Sequence, residues 1–317
     1  MKLKDIGEHR YIEENVKKYL DIDNMDDVFF NDGSTFKVDG FSLSYKSEDM
    51  SFYDIGWKAA IATFSDLISA GSSPSFVMSS IGINHEMDDT VLEEILRGLS
   101  DCVSYYSARY VGGDLNNSPA GGWIDVVGIG KRRAYPTFEP KKGDLLVLTN
   151  PLGYTSLYFL SKFILKLELP QYLFLKALAK IRHPLVNKLI LNVLSSLSGD
   201  LVYSTDVSDG LLISIDKISK RLNMGIEMSS FGIEENILNY LKAITPKIDL
   251  IDILRYSGEE FETIVVIHEE AKDRAIDLMR SFGLDPLVIG KLSESNDVTF
   301  NGNKVKITGW DNFRGWF

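Results

Sequence analysis

The residues of this chain whose types and spacing could carry chemistry are aspartates set among glycines and serines. Asp32 lies in Asn31-Asp32-Gly33-Ser34, Asp39 precedes Gly40, Asp66 follows Ser65, Asp114 closes Gly112-Gly113-Asp114, and Asp209 ends Asp206-Val207-Ser208-Asp209 before Gly210. Carboxylate oxygens of this kind are hard ligands that suit magnesium, which is usually held by a few carboxylates together with substrate phosphates. Each aspartate taken singly is also ordinary turn or capping chemistry. Asp66 differs, because it sits within a helical stretch where neither a turn nor a cap asks for it, and a carboxylate buried there needs a partner. Gly258-Glu259-Glu260-Phe261-Glu262, taken alone, reads as a solvated charge run ahead of a strand.

Other chemistries find little support. There is no Gly-x-x-x-x-Gly-Lys-Ser/Thr loop, and Gly128-Ile129-Gly130-Lys131 lacks the remainder of a dinucleotide fingerprint. The four histidines stand in no recognisable triad or dyad context. The single cysteine, Cys102, excludes intrachain disulfides and multi-cysteine metal sites.

The elements that must position these aspartates follow from periodicity. Glu8 to Tyr19 reads as a short amphipathic helix and Val28 to Ser44 as a hairpin. A helix is expected from Asp54, as N-cap, to Ala70, stopping at Gly71. Apolar residues at Leu92, Ile95, Leu96, Leu99, Cys102, Val103 and Tyr106 predict a helix over 89–107. Tyr110-Val111 and Trp123 to Ile129 read as strands around a loop from Gly112 to Gly122. A second unit opens near Lys141-Lys142-Gly143-Asp144, with strands at 145–149, 201–203 and 263–267 and helices after Gly210 and over 270–282. Strands mixed with helices and no internal repeat predict an α+β protein of two sandwich domains, 1–138 and 139–317.

The chain has 317 residues, 44% of them hydrophobic and 25% charged, which suits a packed core. No apolar stretch near the start resembles a signal peptide, and the run Leu152 to Leu169 is broken by Lys162, Lys166 and Glu168, so a cytoplasmic enzyme without a membrane span is expected. A net charge of −11 argues against nucleic acid and anionic membranes as partners. It also means that a bound polyphosphate needs cations between itself and the protein, since like charges about 4 Å apart repel by roughly 4 kcal/mol at an effective dielectric near 20.

In their order these segments resemble the thiamine monophosphate kinase family, a branch of the ATP-binding superfamily that includes aminoimidazole ribonucleotide synthetase. The resemblance begins at Ile6-Gly7-Glu8-His9-Arg10-Tyr11-Ile12. It continues through Gly56-Trp57-Lys58-Ala59, Phe64-Ser65-Asp66-Leu67, Ala70-Gly71-Ser72-Ser73-Pro74, Gly112-Gly113-Asp114 and Lys142-Gly143-Asp144. It ends with Asp206-Val207-Ser208-Asp209-Gly210-Leu211, Gly258-Glu259-Glu260-Phe261-Glu262 and Gly309-Trp310-Asp311-Asn312-Phe313. Gly-Gly-Asp is similar to the kinase branch, whereas the synthetase branch has Gly-Gly-Glu.

The resemblance implies ATP-dependent, magnesium-assisted phosphorylation of thiamine monophosphate to thiamine diphosphate. It implies a homodimer whose N-terminal domains form a β-barrel core, followed by a C-terminal α/β sandwich. Asp32, Asp39, Asp66, Asp114 and Asp209 would ligate magnesium, with Asp209 the first candidate for an essential residue. Ser208, Asn116 and the Gly112-Gly113 backbone would meet ATP phosphates, and Trp310 would cover the thiamine rings. Three departures accompany it. Asn31-Asp32-Gly33 stands for an Asp-Asp turn, Thr137-Phe138-Glu139-Pro140 lacks an arginine that Arg132 or Arg133 would have to replace, and Asn312 stands for a histidine. A ligase of the same superfamily, or a catalytically silent nucleotide-binding homologue, is the alternative reading.

Overall fold

The computed structural model describes residues 2–20 and 26–317. Two sheets organise it. The first has five strands, β1 (Phe29–Asn31), β2 (Ser34–Ser42), β3 (Ser72–Ile83), β4 (Arg109–Asn117) and β5 (Trp123–Arg132), in the order β1-β2-β5-β3-β4. All neighbours are antiparallel except β3 and β4, which run parallel. The second has seven, β6 (Leu145–Leu148), β7 (Leu201–Asp206), β8 (Gly225–Met228), β9 (Thr263–Ile267), β10 (Leu287–Ser293), β11 (Val298–Phe300) and β12 (Asn303–Lys304), in the order β12-β11-β8-β10-β6-β9-β7. The protein is thus mixed α+β, and neither sheet closes into a barrel among the described residues. No described helix is long and apolar enough to cross a membrane.

The helix Phe52–Ser69 joins the two halves. Its start differs from the expectation: Ser51 is the N-cap, and Asp54 is its partner one turn in. The Asp54 amide donates to Ser51 Oγ at 3.2 Å and the Ser51 amide to Asp54 Oδ2 at 2.7 Å. Both residues are good caps, and the box places the serine first. The helix is buried on nearly every side. Against the helix Asp89–Tyr105 the approach is so close that a Cβ on Gly56 would lie 1.9 Å from the Ile95 carbonyl, and one on Gly98 1.9 Å from that of Tyr53. On its other side, Ser69 Oγ meets Thr263 Oγ1 at 2.8 Å and Ser204 Oγ donates to the Ser69 carbonyl at 2.6 Å, locking the helix onto β7 and β9.

Two further expectations change. The N-terminal helix is broken into Leu3–Ile6, Glu8–Tyr11, a wider turn at Ile12–Val16, and Lys17–Tyr19. The Gly112–Gly122 segment is not a loop from its start: β4 runs through Gly112, Gly113 and Asp114 to Asn117, because its backbone pairs with β3. Gly113 permits that pairing, since a Cβ there would sit 2.4 Å from the Ser79 carbonyl.

One face of the first sheet packs on the two long helices. The other leaves apolar ladders open, Phe29-Phe36-Ile129-Phe76 and Val38-Val127-Met78, with Phe29 67% and Val38 60% exposed. In the second sheet, β6, β7 and β9 are buried along their whole lengths.

Candidate active site

Where the helix Phe52–Ser69 crosses the end of β7, three carboxylates converge. Asp66 comes from the helix, Asp206 from the last position of β7 and Asp27 from the segment leading into β1, and one oxygen from each lies within 4.8 Å of the others. Asp206 is 1% exposed. Its Oδ2 accepts a short hydrogen bond from Ser65 Oγ, while Oδ1 has no partner among the described residues. Asp27 accepts from Thr205 Oγ1 at 2.5 Å and pairs with Lys217 Nζ at 2.5 Å. Lys37, reaching in from β2, places its ammonium 2.6 Å from Asp66 and 3.3 Å from Asp39.

Burial and mutual repulsion decide the charges. Desolvation pushes the Asp66 carboxyl well above the usual range, with Asp206, Asp27 and Asp39 adding to it against the opposing pull of Lys37. Asp206 is pushed up to about 6 by burial and by Asp27. Burial would raise Asp27 too, but Lys217 and Lys37 outweigh it and hold that carboxyl at about 2. A buried oxygen without a donor, among carboxylates that resist ionising together, is the environment a hard divalent cation relieves.

Asp27 and Asp66 line a cavity of about 1140 Å³, with Asp206 buried behind them. Asp209 faces it from the turn after β7, 3.8 Å from His9 Nε2, and burial lifts its carboxyl to about 6. Lys58, 6% exposed, is held by both Glu259 oxygens at 2.8 Å. Glu259 and Phe261 have φ of 60° and 52°, costly for residues other than glycine. Between them, fully buried Glu260 accepts from the Gly153 and Thr155 amides at 2.6 and 3.2 Å and fixes the turn. Beyond Asp209, whose carbonyl accepts from the Trp310 amide at 2.8 Å, the lining turns aromatic: Tyr45 meets Trp310 edge-on at 5.6 Å, Trp310 meets Trp316 at 5.0 Å, and Trp316 leans on Phe159 at 5.2 Å.

Of the residues singled out in the sequence, Asp39, Asp66, Ser208, Asp209 and Trp310 line this cavity. Asp32 does not. It occupies the exposed turn between β1 and β2, with a φ of 46°. Gly112, Gly113, Asp114 and Asn116 lie on β4, an edge strand, where Asn116 Nδ2 donates to Asp114 at 2.7 Å. The register puts Asp114 in a row with Ser80, Asp125 and Gly40, on the face of the sheet opposite Asp39. Neither Arg132 nor Arg133 lines the cavity; Arg132 is stacked on Phe30 at 4.1 Å and Tyr135 at 4.4 Å.

The sequence reading missed Asp26, Asp27, Lys37, Asp206 and Lys217 as site residues. The signal for the first two was an adjacent pair of carboxylates ahead of the apolar run Val28-Phe29-Phe30. Asp26 and Asp27 line the cavity and Asp27 joins the cluster, whereas Asn31 and Asp32 do neither. Cations come from Lys217, Lys220 and Arg221, one face of the helix Leu211–Leu222, all lining the cavity.

The chain is similar to several known proteins. Residues 25–131 match the family described as AIR synthase related protein, N-terminal domain. A thiamine-monophosphate kinase of Pyrobaculum calidifontis is 26% identical over 92% of this chain and 91% of its own length, and that of Methanopyrus kandleri is 25% identical over 84% and 81%. A structure of AaThiL complexed with AMPPCP and TMP superposes with a TM-score of 0.83 at 21% identity, covering 98% of this chain and 99% of that one. A HypE–HypF complex gives a TM-score of 0.72 at 19% identity, covering 94% and 98%, so the fold is shared beyond the kinases.

Proposed function

We propose that this chain, a relative of the thiamine-monophosphate kinases within the AIR-synthase-related proteins, transfers the γ-phosphoryl group of ATP to thiamine monophosphate in the cytoplasm. A phosphate oxygen of the acceptor forms the new bond to the γ-phosphorus as the bond to the β,γ-bridging oxygen breaks, giving thiamine diphosphate and ADP. The observation that carries this reading is that one cavity joins a carboxylate cluster, backed by an Asp206 oxygen without a partner among the described residues, to an aromatic group around Trp310.

The acceptor's second phosphate pKa is about 6, so near pH 7 it is mostly deprotonated and needs no general base. What the protein must supply is alignment and neutralisation of charge. Magnesium fits the carboxylate end: Asp27, Asp66 and Asp206 would hold it, with Asp39 and Asp209 beside them, and when bound it would neutralise the polyphosphate. Ser208 lies beside Asp209 for a phosphate oxygen. Trp310 offers an aromatic face to the cationic thiazolium.

The open apolar face of the first sheet supports a homodimer in which two such sheets close into a β-barrel core. In that assembly Gly112, Gly113, Asp114 and Asn116, exposed in a single chain, would lie at the subunit boundary close to bound ATP. We place the division of the chain at 138/139, with the first part contributing most of the ATP and magnesium site and the second contributing Asp206 and Asp209.

The test is direct. Incubation with ATP, magnesium and thiamine monophosphate should yield ADP and thiamine diphosphate in equal amounts. Turnover with formylglycinamidine ribonucleotide alone would transfer the chain to the synthetase branch. Nucleotide binding without any acceptor, unaffected by Asp209→Asn, would make it a silent homologue.

A further inference from the structure

Two ammonium groups stand inside the carboxylate end of the cavity, and the proposed reaction as described so far gives them no task. Lys37 is held by Asp66 and Asp39, and Lys217 by Asp27, with the two lysines flanking the three-carboxylate cluster. Their partners are the groups best arranged to take a divalent ion, so lysine and metal compete for the same oxygens. Neither lysine is sealed in. Lys37 keeps 18% and Lys217 28% of its side chain exposed, and both line the cavity. Each has a flexible four-carbon stem and three donors with no acceptor, so an ammonium that leaves its carboxylate must find another anion.

Resting on the reading that this cavity binds nucleotide, we propose that Lys37 and Lys217 are phosphate ligands parked on the metal-binding carboxylates. When the carboxylates take up a divalent ion, the two ammonium groups are released and turn into the cavity onto phosphate oxygens. Metal and nucleotide are thereby coupled through the protein's own side chains as well as by direct contact. No bond is made or broken; three carboxylates, Asp27, Asp39 and Asp66, exchange part of their countercharge from lysine to metal. This device also answers the missing arginine before Lys142-Gly143-Asp144, because cations for the phosphates come from β2 and from the helix Leu211–Leu222.

The role has a signature of opposite signs. Lys37→Met and Lys217→Met should each tighten Mn²⁺ binding in the absence of nucleotide by about tenfold, by removing the competitor. Each should weaken binding of β,γ-methylene-ATP by about tenfold, by removing a ligand, which is the usual size of a coupling between sites. Titration calorimetry of the full chain reads both, and Lys37→Arg should restore most of the nucleotide affinity. In the unmodified protein, mass-spectrometric footprinting with an amine-reactive reagent should show both lysines more reactive with Mn²⁺ alone and protected with Mn²⁺ plus the analogue. This second readout stands even if a variant fails to fold. A fall in both affinities would make the lysines purely structural, and tighter Mn²⁺ binding with unchanged nucleotide affinity would make them competitors without a phosphate role; either overturns the proposal. Labelling unchanged by Mn²⁺ does the same. If the unmodified protein binds no analogue, the kinase reading falls as well, and that failure is distinguishable from the others.

Discussion

The two ends of the cavity are built on different principles. The carboxylate end gathers single side chains from separate elements of both sheets: Asp27 ahead of β1, Lys37 and Asp39 on β2, Asp66 on the helix Phe52–Ser69, Asp206 on β7 and Lys217 on the helix Leu211–Leu222. Each of these supports is packed or hydrogen-bonded into the core, so charges are held close despite the cost. The aromatic end is made largely by the last residues of the chain, which form no helix or strand. It is held by Asp311, 2% exposed, whose Oδ1 accepts from the Phe313 and Arg314 amides and whose Oδ2 accepts from the Glu8 amide at 2.7 Å. In the proposed reaction, phosphoryl chemistry would rest on fixed geometry, and recognition of the acceptor on this C-terminal segment, where contact area matters more than exact placement.

If that division holds, the largest losses come from the carboxylate end. Asp27→Asn and Asp66→Asn should each lower kcat by about a thousandfold, the scale seen when a key charge-stabilising group is removed, and both should weaken Mn²⁺ binding in calorimetry. An Asp66→Asn protein within tenfold of the unmodified rate would place the chemistry elsewhere.

The pH dependence separates the ends further. Asp206 and Asp209 have carboxyls raised to about 6, by burial first, so in the metal-free protein they take up protons as the pH falls through about 6. Divalent binding requires them ionised, and Mn²⁺ affinity should therefore drop by up to about tenfold per proton taken up for each pH unit below that value. Stability has the opposite sign. A carboxyl raised from 3.8 to about 6 contributes stability that is fully present below pH 3.8 and lost as the pH rises through about 6. Metal-free Asp206→Asn should accordingly lose less melting temperature than the unmodified protein between pH 4 and 6.5, and equal slopes would remove Asp206 from the account.

A smaller and more selective effect is expected from Trp310→Ala and Trp316→Ala. Losing an aromatic face toward a cation costs about 1 to 2 kcal/mol, so KM for thiamine monophosphate should rise by about tenfold. Affinity for β,γ-methylene-ATP should stay unchanged. Equal loss of both would mean that the C-terminal segment supports the whole cavity rather than the acceptor alone.

The difference between the ends also explains what the sequence made legible. The helix Asp89–Tyr105 and strand β9 follow from local periodicity and β-branched composition, and they appear nearly where expected. Asp66 was conspicuous because a carboxylate in an apolar helix violates local logic. Asp27 and Lys217 were not, since their significance is mutual and they are 190 positions apart. A search for aspartates beside Gly or Ser favoured Asp32, which has turn chemistry, over Asp27, which lacks that mark. Likewise β4 looked like a loop because Gly-Gly-Asp is turn composition, whereas its extended form comes from pairing with β3, a tertiary contact.

Asp32 supplies the smallest effect and the sharpest control. It lies close in sequence to Asp27 but occupies the hairpin turn, exposed and with a φ of 46°, a conformation that Asn adopts as readily as Asp. Asp32→Asn therefore keeps the backbone preference and removes only a solvated charge. Stability should stay within about 0.5 kcal/mol, with Mn²⁺ affinity and turnover unchanged within about twofold, the remainder that a screened surface charge leaves at this distance. Should Asp32→Asn instead match Asp27→Asn in both readouts, the metal site would have to include the hairpin tip. The turn would then have to close over the cavity during turnover, and the fixed geometry assigned to the carboxylate end would be wrong at that edge.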